Sequence, residues 1–357
     1  MSQALVSLHR GELVESVHRG HVAVADVSGK LLRWAGDPQV VTYFRSSAKP
    51  IQVLPIIASG AVDRYGITQA ELAVMAASHR GEDIHVEAVA SILGKIGLTE
   101  SALMCGTHAP SCVWPPERAS ARSGQAAHRI RSGIPFSPIF NNCSGKHAGM
   151  LMYAMDRGYS SDDYISPDSR VQQDMWQAVS DVAGLPREEV VRGIDGCGVV
   201  VFGMPLSGMA RAYARMSSPE SLPAEFTEPA RRIVRAMTDH PEMVGGSGDF
   251  GTNLMLAARG ALFCKGGAEG LFCLGIPGKG LGVAIKIEDG GARAIPSTVM
   301  EILRVLGAIT PEMAGVRELA IERPVRNCRG EVVGYMRPCF ELEEPLKPFD
   351  RARAGQV

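Results

Sequence analysis

Residues 261–291, ALFCKGGAEGLFCLGIPGKGLGVAIKIEDGG, change the period of the chain. Three short apolar runs, at 261–265, 270–275 and 282–287, alternate with glycine-rich turns, the pattern of antiparallel strands. Asp289-Gly290-Gly291 reads as a tight hairpin turn. Before this stretch the pattern is helical, at 206–216, 228–239 and 252–259. After it, 297–306 is helical again. Farther back, residues 12–35 return to β character. Val22, Val24 and Val27 lie in one run, Ser28-Gly29-Lys30 turns the chain, and Leu31–Trp34 comes back. Strands at both ends flanking a long helical block predict an α+β fold with a mainly antiparallel sheet built from N- and C-terminal strands. One catalytic domain is expected over 1–345, with the helical region at about 46–260 inserted between the strands and a loose tail at 346–357.

Within the helical block, Pro50 suits the first turn of a helix running from Ser46 or Ser47 through Ile57. Thr68 and Glu71 form a capping box, and that helix is expected to stop near Ser78–Glu82, with Gly81 as terminator. Further helices are expected at 84–96, 117–132 and 167–184. The segment 141–147 reads as a loop entering a helix through 150–155.

The composition excludes several function classes. The 357 residues carry 37 Lys+Arg against 38 Asp+Glu, so no basic field favours nucleic acid or an anionic membrane. With 45% hydrophobic and 21% charged residues, the chain reads as packed and globular. No run approaches the ~18 apolar residues of a membrane span. The most apolar stretch, 196–210, is broken by Gly198, Gly203, Pro205 and Gly208. The eight cysteines follow no secretory signal, which points to a reducing cytoplasm and mostly free thiols.

Several residues could do chemistry. Ser46-x-x-Lys49 places a hydroxyl and an amine on one helix face, where a desolvated lysine serves as the serine's base. Such a pair also arises by chance in a chain of this length. Ser78-His79 resembles a nucleophile pair, although adjacent residues on a helix point apart. Cys143-x-x-Lys146-His147, with the distant Cys197, offers zinc donors but lacks a Cys-x-x-Cys pair, and buried free cysteine is the plain alternative. Lys265 precedes glycines on a strand, where an amine reaches a cleft or simply marks a sheet edge. Gly275–Gly280 lacks the Ser/Thr of a phosphate loop and reads as a turn.

Taken in order, Ser46-x-x-Lys49-Pro50, Ser78-His79-x-Gly81-Glu82, Asn142-Cys143-Ser144-Gly145-Lys146-His147, Asp195-Gly196-Cys197, His240-Pro241-Glu242-Met243 and Lys265-x-Gly267-Ala268 resemble the class 3, or rhizobial-type, L-asparaginases of the asparaginase II family. The Asn-Cys-Ser-Gly-Lys-His string is the most specific piece. The resemblance spans nearly the whole chain and implies a fold like serine β-lactamases and glutaminases. It implies two Ser–Lys tandems, Ser46 with Lys49 and Ser78 with Lys265. It also implies a zinc ion on Cys143, Lys146 and Cys197, substrate-binding roles for Asp195 and His147, and a homodimer. In one departure, the segment Gly248-Asp249-Phe250-Gly251-Thr252 has a glycine where some members carry a cysteine near the metal.

The expected reaction is hydrolysis of L-asparagine to L-aspartate and ammonia. Ser46 attacks, neutral Lys49 takes its proton, and Ser78 with Lys265 relays protons or holds the carbonyl. Zinc is expected to orient the amino-acid end of the substrate, or the water. The rivals are another serine amidohydrolase, such as a glutaminase or a β-lactam hydrolase, and a non-catalytic zinc- or amino-acid-binding relative. No Ser-Asp-Asn triplet lies between Ser46 and Lys265, which weighs against the lactam reading.

Overall fold

The computed structural model describes residues 1–113 and 123–345. The tail expected at 346–357, and residues 117–122 of one expected helix, lie outside the described residues. The rest of that helix is seen at Gly124–Arg131. In chain order the strands are β1 (Gln3–Arg10), β2 (Leu13–Asp26), β3 (Leu31–Ala35), β4 (Val41–Tyr43), β5 (Val191–Ile194), β6 (Val200–Pro205), β7 (Phe263–Gly267), β8 (Leu271–Ile276), β9 (Leu281–Ile287), β10 (Arg323–Arg326) and β11 (Val332–Pro338).

The main sheet runs β10-β11-β1-β2-β9-β8-β7, so strands from both ends of the chain share it. β2 is long enough to pair β1 with its first half and β3 with its second, and β9 lies along its other edge. All these pairings are antiparallel. β8 is buried along its whole length, which is why it reads as an unbroken apolar run. Helix Leu206–Ser217 packs on β9, and a Cβ at Gly282 would lie 2.0 Å from the Ala210 carbonyl oxygen. Glycine there lets helix and sheet backbones touch. A second sheet, β4-β6-β5, carries the approaches to Ser46 and to Cys197.

Three expectations change. Asp289-Gly290-Gly291 closes no hairpin. The Asp289 carboxylate is held by His18 (2.8 Å) and by the Gly291 N–H (2.7 Å), and the chain passes into helix Ile295–Val305. The helix expected from Ser46 to Ile57 is a 3₁₀ turn, Arg45–Ala48, then two short helices, Lys49–Gln52 and Leu54–Ala58. Pro50 and Pro55 each open a new first turn because neither can donate a backbone bond. The capping box at Thr68 and Glu71 is formed, but helix Gln69–Met75 stops before Ser78.

Candidate active site

The 3₁₀ turn bearing Ser46 is fastened to the sheet. Ser47 Oγ donates to the Lys265 carbonyl (2.7 Å), and the Tyr213 hydroxyl donates to the Ser47 carbonyl (2.8 Å). Arg45, just before Ser46, sits in left-handed backbone at φ +47 and pairs with Asp195 at 3.0 Å. A non-glycine residue held there carries strain of about 1–3 kcal/mol, the kind that accumulates where a side chain must be aimed.

Ser78 lies on the irregular segment after helix Gln69–Met75. Its N–H donates to the Val244 carbonyl (3.1 Å), and the His79 N–H donates to the Asn142 carbonyl (3.2 Å). The His79 ring is buried. Its Nδ1 accepts from the Gly81 N–H (3.2 Å), which leaves the ring proton on Nε2, facing Ser144 Oγ at 2.8 Å. His79 therefore fixes the segment that carries Ser78 and does not touch the serine hydroxyl. Burial, with His85 and Lys49 nearby, holds its imidazole well below the usual range and neutral.

Two amines meet at Ser78. Lys49 Nζ and Lys265 Nζ each lie 3.0 Å from Ser78 Oγ. Lys49 also reaches the Ala77 carbonyl (2.5 Å) and Cys143 Sγ (3.2 Å). Lys265 reaches the Gly266 carbonyl (2.8 Å). Both lysines are buried, at 1% and 5% exposure. Burial lowers the Lys49 amine, with Lys146 helping and the Cys143 thiol opposing. Burial and the charge on Lys49 push the Lys265 amine down to about 7. The expected pairing of Lys49 with Ser46 is not formed as a bond. Among the described residues the Ser46 hydroxyl has no hydrogen-bond partner, and Lys49 is turned to Ser78.

Behind Lys49 lies a sulfur–amine cluster. Lys146 Nζ donates to Cys197 Sγ (3.1 Å), as Lys49 Nζ does to Cys143 Sγ. Its neighbour Cys197, then Lys49 and Lys146, lower the Cys143 thiol well below its usual value against burial, while Cys143 and burial raise the Cys197 thiol. Burial lowers the Lys146 amine, but Cys143, Cys197 and Asp195 outweigh it and raise the amine overall. Among the described residues no three His, Cys, Asp or Glu side chains gather as a metal site, so any donor set here needs the lysine. All eight cysteines are free.

Ser46, Ser78 and Lys265 line one cavity of about 340 Å³ with Asn142, Asp249 and Thr252. Val244, Phe250, Met255, Phe272 and Ile295 form its apolar wall. Cys143, Cys197, Lys146, Asp195 and His147 do not line it. Asp195 is engaged by Arg45. His147 is fully buried, with Nδ1 2.7 Å from the Tyr164 hydroxyl and Nε2 without a partner among the described residues. The sequence reading assigned no role to Arg45, Asn142 or Asp249. Asp249 is readable as a helix cap before Phe250, but only the fold turns it toward the cavity.

The family profile described as L-asparaginase II matches residues 6–338. Among curated proteins, none matches the chain. Solved structures similar to it include a β-lactamase from Mycobacterium bovis, at 16% identity over 80% of this chain and 94% of that one, with a TM-score of 0.40. Another is a putative β-lactamase from Bacteroides dorei, at 14% identity over 80% and 93%, with a TM-score of 0.38. No helix among the described residues is long and apolar enough to cross a membrane.

Proposed function

On the premise that the chain belongs to the L-asparaginase II family of amidohydrolases, we propose that it is a rhizobial-type enzyme hydrolysing the side-chain carboxamide of L-asparagine. The observation that carries this reading is Ser78 Oγ at 3.0 Å from two buried amines, in a cavity that Ser46 also lines. A hydroxyl held between two amines is a proton conduit. The Ser46 hydroxyl, unengaged and facing the cavity, is free to attack.

In this reading Ser46 Oγ bonds to the carboxamide carbon while its proton passes to neutral Lys49, directly or through Ser78. The C–N bond breaks as the proton held by Lys49 passes back through Ser78, with neutral Lys265 as its second partner, to the leaving nitrogen, and ammonia departs. Water then cleaves the serine ester, giving L-aspartate and restoring Ser46. Burial disfavours the proton on both amines, Lys146 adding to it at Lys49 and Lys49 adding to it at Lys265, so a neutral amine is available near neutral pH.

Zinc is part of the proposal. Cys143, Cys197 and Lys146 are suitable donors, two thiols and an amine already drawn together out of solvent. Zinc, when bound, supplies positive charge that keeps both sulfurs ionised and requires Lys146 to be neutral. The donors flank the cavity without lining it, so the metal would fix Asn142, next to Cys143, in the cavity wall.

The deciding test measures ammonia release from L-asparagine, L-glutamine and a chromogenic β-lactam side by side, with a Lys49→Ala control. Asparagine turnover that is fastest and lost in the control supports the reading. Turnover of the lactam alone, or none at all, overturns it.

A further inference from the structure

Two charged side chains face the cavity, Lys265 and Asp249. The Lys265 amine is committed to Ser78. Asp249 is the N-cap of helix Phe250–Ala258, and its Oδ2 accepts from the Gly251 N–H (2.8 Å) and the Thr252 N–H (3.2 Å). Among the described residues nothing donates to its Oδ1, and no cation pairs with the carboxylate. The space beside it is made by glycine: a Cβ at Gly245 would come within 2.7 Å of Asp249 Oδ2 and of Thr252 Oγ1.

L-asparagine brings an ammonium group, which cannot leave water for a partly apolar pocket without a counter-charge. Lys49 and Lys265, both amines held to Ser78 Oγ, supply none. We infer that Asp249 receives the α-ammonium of the substrate through its unengaged oxygen, so the enzyme selects free amino-acid amides over asparagine whose nitrogen is acylated or in a peptide bond. This inference rests on the asparaginase reading above. It adds a specificity residue to the cavity that both serines line.

The test compares wild type with Asp249→Asn, because asparagine keeps the cap acceptor and removes the charge. Kinetics are run at about pH 8, above the Lys265 value of about 7 and with the substrate's α-ammonium still largely protonated. The substrates are L-asparagine, N-acetyl-L-asparagine and succinamate, which is asparagine without its amino group. Wild type should prefer L-asparagine. In the variant, KM for L-asparagine should rise about 10- to 100-fold, the scale of one charge-assisted hydrogen bond, with kcat changed much less. Activity on succinamate should be nearly unchanged, so the preference collapses. An equal loss on all three substrates, or no change on any, overturns the inference and leaves Asp249 as a helix cap. Wild type that releases ammonia from none of them overturns the asparaginase reading, and this inference with it.

Discussion

The amine of Lys265 is buried, bonded to a hydroxyl and a carbonyl, and close to a second lysine. Its working form is the neutral amine, so activity depends on deprotonation at about 7. The kcat/KM profile should fall on the acid side of that value and level off above it. A flat profile between pH 5 and 8 would remove Lys265 from the proton path. The same shift bears on stability. The unfolded chain holds this proton up to the ordinary lysine range, near 10.5, while the folded chain releases it above about 7. Between those limits the unfolded state binds more protons, so stability rises with pH, and below pH 7 the cost of burying the amine is fully present. Lys265→Met should therefore abolish turnover yet raise Tm at neutral pH, as expected where function is built on a buried charge. An active variant, or an inactive one with lower Tm, would count against that account.

Secondary-structure elements meet at this site through glycines that the sequence shows only as letters. Helix Ser144–Arg157 approaches helix Gln69–Met75 so closely that a Cβ at Gly145 would lie 2.2 Å from the Val74 carbonyl oxygen. That contact sets the spacing between Ser78 and Cys143. Gly145→Ala should cost about 1–3 kcal/mol, the usual range for overpacking, and lower kcat as well. Gly282→Ala, remote from the cavity, should cost stability and leave the kcat of the folded fraction near wild type. Urea midpoints and active-fraction kinetics on the two variants check the contrast, and equal kcat losses would break it. The same elements show what was legible in the sequence. The capping box at Thr68, β7 to β9, and the run of Asn142 to His147 could be read, because each is a local pattern of type and spacing. The β1, β10 and β11 strands were missed, since exposed and buried positions mix irregularly along β11 and the strands find their partners across the chain. The break after Ser46 is not legible from Pro50 alone, because Pro55 opens a second first turn five residues on. Which serine Lys49 faces depends on a contact across 29 residues, which spacing three apart could not reveal.

At the scale of the whole molecule, the cavity joins a turn at 46–49, a segment at 78, the β7 strand and helix Phe250–Ala258. The sulfur–amine cluster ties two further parts, the N-terminus of helix Ser144–Arg157 and the turn between β5 and β6. Zinc on Cys143, Lys146 and Cys197 would cross-link those parts, and binding to the folded state alone raises stability by mass action. Of the three donors only Cys143 touches the proton path, through Lys49 Nζ at 3.2 Å, and the bonds of Lys49 and Lys265 to Ser78 pass through none of them. The proton path should therefore outlast the metal, while the cavity wall at Asn142 loosens without it. Chelation should lower Tm and raise KM for L-asparagine, with kcat within about 3-fold of the loaded enzyme, and added zinc should restore both. Cys197→Ser should show a reduced zinc content and the same kinetic pattern. Loss of kcat at unchanged KM would put the metal in the chemical step instead, and a Tm indifferent to zinc, with no zinc bound, would leave the two thiols and the amine as core packing.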